Sequence, residues 1–277
     1  MARTLSLLAA MIRKNMLVTL RYPINLLGRF VTAFVIMLVF MFATLMFVPG
    51  GLQSLDSGAE SFSLASTMIY GFVLFLFISD GLWIVGYNVR WEQYEGTLES
   101  LYLTPASRFL YLTSRLAEPL LWTGLIAATV LLSVRLILGA LPMANPGLAF
   151  YTFALTLGGI FGSSFCFAAF TLLVKEAAQS IANLLQFAIL TVCALFFPFR
   201  VLPEPVLILS RLVPLSYSVD LLRSALLDFP GGYPELASVQ TELIIVTLWG
   251  LLMPPLGYLA YRWAEQRVRV NGSLAEF

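Results

Sequence analysis

The stretch 30–48, FVTAFVIMLVFMFATLMFV, carries no charged residue, and Thr32 and Thr44 are its only polar side chains. A helix needs about 20 predominantly apolar residues to cross the hydrocarbon core of a bilayer, so this run reads as a membrane span. Five more runs follow at 62–87, 119–141, 148–174, 181–199 and 243–261. The second and third each contain one ionisable residue, Asp80 and Arg135, and the fourth and fifth are separated only by 175–180. The whole chain agrees: 277 residues, 60% hydrophobic and 11% charged, with mean hydropathy +0.89. A soluble chain has roughly 45–50% apolar and about 25% charged residues. The expectation is an all-α membrane protein, a single domain over 1–277 with six transmembrane helices.

Short cytoplasmic loops collect Lys and Arg. Arg3, Arg13, Lys14, Arg21 and Arg29 precede the first span, Arg90, Arg108 and Arg115 follow the second, Lys175 follows the fourth, and Arg262, Arg267 and Arg269 follow the sixth. The opposite side has Arg200, Arg211 and Arg223. Both termini are therefore expected in the cytoplasm. The basic residues before the first span are spread along the stretch and no small-residue cleavage site follows it, so it does not read as a secretory signal.

Composition removes whole classes of chemistry. Sixteen Lys and Arg against fifteen Asp and Glu leave no basic face for nucleic acid. Histidine is absent, which takes away the commonest metal ligand and the usual neutral-pH base. Cys166 and Cys193 sit in apolar runs and read as packing residues. Gly162, Ser163 and Ser164 suggest a serine nucleophile only with a lysine base, and the lysines are Lys14 and Lys175. Neither follows the glycines of a G-x-x-x-x-G-K-[ST] phosphate cradle. The chain is expected to have no enzymatic activity and no cofactor.

Outside the spans, 1–22 reads as an amphipathic interfacial helix. Leu5, Leu8, Ala9, Ile12, Met16 and Leu20 share one arc, while Arg3, Ser6, Arg13, Lys14 and Arg21 share the other. Tyr22-Pro23 ends it. In loop 88–118, Trp91, Tyr94, Leu98, Leu101 and Tyr102 fall on one helical arc, with Glu92, Glu95 and Glu99 as an acidic stripe beside it. Such a helix suits a groove on another protein; the alternative is a solvated loop whose acids offset Arg90, Arg108 and Arg115. Thr104-Pro105 reads as an N-cap and first-turn proline opening a new helix. In 200–242, apolar pieces at 206–213 and 217–227 are too short to span and read as re-entrant or interfacial helices on the outer side. Pro214, Tyr217, Asp220 and Arg223 are candidates for an outer gate, with structural padding as the alternative.

Glu95-Gly96-Thr97-Leu98-Glu99, followed by Leu101 and by Thr104-Pro105-Ala106-Ser107-Arg108, resembles the cytoplasmic signature of type-2 ATP-binding-cassette export permeases. The segment from Leu202-Pro203 through Pro214-Leu215-Ser216-Tyr217, Asp220 and Arg223 resembles the outer loop of that family. The resemblance implies that 91–103 is a coupling helix resting on a nucleotide-binding subunit, with Trp91, Glu92, Tyr94, Glu95, Gly96, Thr97, Leu98, Glu99, Leu101 and Tyr102 as its contact residues. It implies that 1–22 is an elbow helix, and that two permease chains (homodimer or heterodimer) work with two ATPase subunits that hold ATP and Mg. It further implies export of a drug, antibiotic, lipid or lipid-linked glycan from the cytoplasm or inner leaflet, in a bacterial cell membrane; the drug-resistance branch is the most similar.

Spans one, two and five mix aromatic and polar residues, and Tyr70, Asp80, Gln186, Phe187 and Phe197 are the candidates for the substrate pathway. An ionisable group within a span faces an interior, a water cavity or a partner. Asp80 is therefore a functional candidate, or else a packing residue satisfied by a hydroxyl, and Arg135 is expected to snorkel outward. The rival reading is a proton- or sodium-coupled secondary transporter using Asp80. Gly158, Gly159 and Gly162 let the fourth span approach a neighbour closely.

Overall fold

A computed structural model describes residues 2–47, 59–96, 107–138, 141–174, 177–230 and 232–270, and every regular element in them is a helix. Helix α1 (Ala2–Arg21) and helix α2 (Pro23–Phe47) meet at an 80° bend. Pro23 has no N–H to extend the first helix and forces the preceding residue out of the α region. Helix α3 is one continuous rod: α-helical over Ala59–Asp80, π-helical over Gly81–Tyr87 and α-helical again over Asn88–Tyr94. Helix α4 has the same construction, with α-helix over Arg108–Glu118, a π segment over Pro119–Thr123 and α-helix over Gly124–Leu138. Helix α5 spans Pro146–Val174, α6 Ala178–Val192, α7 Glu204–Leu212, α8 Pro214–Leu226 and α9 Val239–Val270. Among the described residues four helices are long and apolar enough to cross a membrane, or up to six if each bent pair (α1 with α2, α7 with α8) is one span. The chain is a multi-pass membrane protein.

Three boundaries differ from the sequence reading. The second span does not end at 87; its helix continues through Tyr94, so Trp91, Glu92 and Tyr94 ride on the span itself. The fifth helix stops at Val192, short of the 181–199 run, because the chain turns through Ala194 at φ 47° and reaches Pro198 in extended conformation. The helix expected to open at Thr104-Pro105 is capped instead by Ser107, whose Oγ accepts from the Leu110 N–H at 3.2 Å. Thr97, Leu98, Glu99, Leu101, Tyr102, Thr104, Pro105 and Lys175 lie outside the described residues.

Glycines set the helix packing. A Cβ on Gly158 would lie 2.7 Å from the Gly250 carbonyl oxygen, and one on Gly162 would lie 2.3 Å from the Met253 backbone. Helices α5 and α9 therefore touch backbone to backbone, so the small-residue stripe serves packing within the chain. Gly81 and Gly86 bring the π segment of α3 equally close to Ser164 and Phe167 on α5. Ser163 and Ser164 return their hydroxyls to the carbonyls of Gly159 and Ile160 on their own helix. Both cysteines are free thiols, Cys193 buried. Phe75 and Phe72 of α3 pack on Phe196 in the turn after α6, centroids 5.6 and 6.2 Å apart. Val31, Val35, Leu248, Leu252, Leu256 and Leu259 stay exposed, an outward apolar surface that suits lipid.

Candidate functional site

At one end of the bundle the tip of α3 is held by a buried polar lattice. Glu92 is buried; its Oε2 accepts from the Tyr111 hydroxyl at 2.7 Å and its Oε1 pairs with Arg115. Arg90 is buried as well, donating to the Gln93 Oε1 at 2.8 Å with its guanidinium 4.3 Å from the Tyr94 ring centroid. Glu92 therefore does not belong to an exposed acidic stripe: the continuous helix turns it inward onto α4, where an unpaired buried charge would cost several kcal/mol. What remains outside is the edge formed by Trp91, Tyr94 and Glu95, with the Trp91 Nε1 donating to the Glu95 Oε1 at 2.9 Å. Gly96 closes this edge at φ 67°, in the left-handed region where glycine ends a helix at no steric cost.

Two other elements brace the same end. Helix α1 lies on α4, with Asn15 Nδ2 donating to the Ser114 carbonyl at 3.3 Å and the Thr19 hydroxyl to Glu118 at 3.3 Å. The arc turned inward thus carries Asn15 and Thr19, while Leu20, placed on the apolar arc from sequence, is exposed together with Leu17 and Val18. The docking hydrogen bonds set the rotation of the helix, and those exposed leucines suit the lipid interface. Glu265 near the end of α9 pairs with Arg108 at 3.0 Å and Arg269 at 2.8 Å. A cavity of about 400 Å³, lined in part by Lys14, Asn25, Arg29, Trp91, Glu92 and Glu118, sits where α1, α2, α3 and α4 converge.

Deeper in the bundle the Pro119–Thr123 π segment of α4 packs against the α-helical part of α3 that ends at Asp80. Asp80 is the last residue before the π segment of α3 and Thr123 the last residue of that of α4, and the Thr123 hydroxyl donates to the Asp80 carboxylate. A π turn displaces helical phase and occurs mostly at functional sites. Here two polar groups meet across apolar helices. Beside them Trp83 Nε1 donates to Gln186 Oε1 at 2.8 Å, and Gln186 Nε2 donates to Ser79 Oγ at 3.1 Å. These groups line a cavity of about 620 Å³ whose walls also include Gly28, Arg29, Ile36, Phe75, Ile84 and Ile126. Of the five pathway candidates, Asp80 and Gln186 meet here. Tyr70 does not: its hydroxyl donates to the Pro142 carbonyl. Phe187 projects from α6 as an exposed ring and Phe197 packs beyond the end of α6. Arg135 is exposed, about 18 Å from Thr123 along α4 by helical rise, so it does not pair with Asp80. Sequence reasoning missed Ser79, Trp83 and Thr123; the need of an intramembrane carboxylate for a hydroxyl partner was the signal available.

The opposite end is closed by α7, α8 and the segment up to Glu242. Tyr217 stays at the surface, its hydroxyl on the Arg211 carbonyl at 2.8 Å, and Pro214 opens α8. Asp220 and Arg223, one turn apart, are both buried and serve different partners. Asp220 Oδ2 accepts the backbone N–H groups of Glu235 and Leu236 at 2.7 and 2.8 Å, and Glu242, buried as well, accepts the Ala237 N–H at 3.2 Å. Arg223 donates to the carbonyls of Thr67, Phe197 and Leu195 at 3.1, 3.2 and 2.5 Å, tying α8 to the start of α3 and to the turn after α6.

A family model described as ABC-2 type transporter matches residues 6–227, a range that takes in the α3 tip, the cavity and the Arg223 cluster. No curated protein matches the chain.

Proposed function

The chain belongs to the ABC-2 type transporter family, and from that membership we propose that it is the transmembrane permease subunit of an exporter powered by a separate ATPase. The observation that carries the reading is the exposed Trp91, Tyr94 and Glu95 edge on a helix locked from behind by Glu92, Tyr111 and Arg115. Force applied to that edge moves α3 as a rod, because the buried lattice resists its rotation against α4. In this reading the α1 end faces the cytoplasm, both termini lie on that side, and the α8 end caps the outer leaflet.

Two permease chains and two ATPase subunits form the working unit. ATP binding draws the two α3 tips together and biases a two-state equilibrium between inward- and outward-facing cavities. ATP and Mg sit on the partner, and the substrate is an apolar or amphipathic molecule taken from the cytoplasm or inner leaflet of the cell membrane. The family match supports the permease and its ATPase partner; the edge supports where the partner docks.

The test is co-purification of the permease with a co-expressed candidate ATPase subunit. Replacing Trp91, Tyr94 and Glu95 together by alanine abolishes capture of the ATPase and ATP-dependent uptake into inverted vesicles while the permease stays monodisperse. Uptake that persists without the ATPase and follows a proton gradient overturns the reading in favour of a secondary transporter.

A further inference from the structure

The cavity beside Asp80 has an unbalanced charge. Arg29 at its rim is shared between Glu118, at 3.1 Å, and Asp80, so that two carboxylates outnumber the one guanidinium beside a largely apolar space. Among the described residues Thr123 is the one hydrogen-bond donor to the Asp80 carboxylate. A carboxylate inside a membrane is costly unless something positive or polar meets it. A small inorganic cation is poorly served here, since it needs six or so oxygen ligands, whereas Gln186 Oε1 is taken by Trp83 and Ser79 Oγ by Gln186, which leaves the side chains of Asp80, Thr123, Thr32 and Asn25 amid isoleucine, leucine, alanine and phenylalanine. The volume of about 620 Å³ is instead that of a site for a drug-sized molecule, within the usual range of about 300–1,000 Å³. Trp83, its indole held by Gln186 and Gln186 held by Ser79, adds an aromatic surface to the lining, and such surfaces attract cations.

We propose that this cavity between α2, α3, α4 and α6 binds an amphipathic organic cation, its positive group against Asp80 and its apolar body against Ile36, Phe75, Ile84 and Ile126. The proposal rests on the permease reading and names its substrate class. Asp80 stands just before one π segment and Thr123 closes the other, and the two side chains meet. The Thr123 hydrogen bond then fixes the carboxylate before the ligand arrives, so little ordering is left for binding to pay.

The experiment is equilibrium dialysis of radiolabelled tetraphenylphosphonium against the full chain in lipid nanodiscs, without any ATPase, counting binding in excess of empty nanodiscs. Saturable binding is expected, displaced by a second amphipathic cation such as rhodamine 6G and not by uncharged triphenylphosphine oxide. Asp80→Asn weakens it at least about tenfold, the scale of one lost charge contact in a partly desolvated site. If Asp80→Asn does not stay folded, Gly28→Trp serves: Gly28 lines the cavity with open space beyond its Cα, so the indole fills the site from α2, keeps the carboxylate and abolishes binding. Absence of saturable binding overturns the proposal, as does equal competition by the uncharged compound, displacement by millimolar sodium, or full affinity in both variants. A negative result here leaves ATPase capture by the α3 tip intact, whereas failed capture with saturable cation binding removes only the docking reading.

Discussion

Replacing Arg223 by methionine removes the guanidinium while keeping most of the side-chain volume. Three carbonyls, on Thr67, Leu195 and Phe197, then lose a charged donor. Each hydrogen bond to a charged group contributes about 1.5–3 kcal/mol, so the three together set a ceiling of about 4.5–9 kcal/mol. Against that stands the relief of no longer desolvating a fully buried cation. Measured losses on removing one partner of a buried charged cluster are about 3–5 kcal/mol, and that is the expected cost. At about 2 °C or more per kcal/mol for a chain of this size, the melting temperature of the purified permease in nanodiscs falls by about 6–10 °C. Arg223→Lys restores one donor and recovers part of the loss. A melting temperature for Arg223→Met within about 2 °C of the unmodified protein would show that α8 is held by something other than this cluster.

Two further outcomes follow from the packing and the acid pair. Gly158→Leu forces the backbones of α5 and α9 apart, since even a Cβ meets the Gly250 carbonyl at 2.7 Å; overpacking of this kind costs about 1–3 kcal/mol, and thermal unfolding in nanodiscs reads it as a lower midpoint. In the acid pair, Asp220→Ala leaves the buried N–H groups of Glu235 and Leu236 without their acceptor, which costs about 1–3 kcal/mol and lowers the same midpoint; an unchanged midpoint would contradict the role assigned to Asp220.

How much of this was legible in the sequence depends on whether the signal was local. The uncharged run 30–48, the break at Tyr22-Pro23 and the proline opening α8 are local: length, a missing N–H and a fixed φ decide them wherever the chain goes next. Glu92 was not legible. Helical spacing put it beside Glu95, but the partner that draws it inward is Arg115 on α4, and only tertiary structure brings the two together. The π segments were invisible for a related reason, since they contain ordinary apolar residues, and the one in α3 lies against α5 through contacts that no local pattern shows. Asp80 stood out as an expensive residue; its partner Thr123 and the cavity beside them did not, because neither follows from periodicity. The extension of α3 to Tyr94 was hidden because charges at Arg90 and Glu92 mark a span end in hydropathy, even though the helix runs on through them.

The widened turn over Gly81–Tyr87 also sets a clock angle. Each residue of an ordinary helix advances the face by about 100° and each residue of the wider π turn by less, so the stretch holds about one residue more than a regular helix of the same rotation. Excising a residue here lets the rod rewind into regular geometry with Glu92 still turned toward Arg115, whereas excising one from the regular helix above it swings everything below by roughly 100° and parts the two. The stretch over Gly81–Tyr87 is the place where the rod tolerates a change of length without its two ends falling out of step.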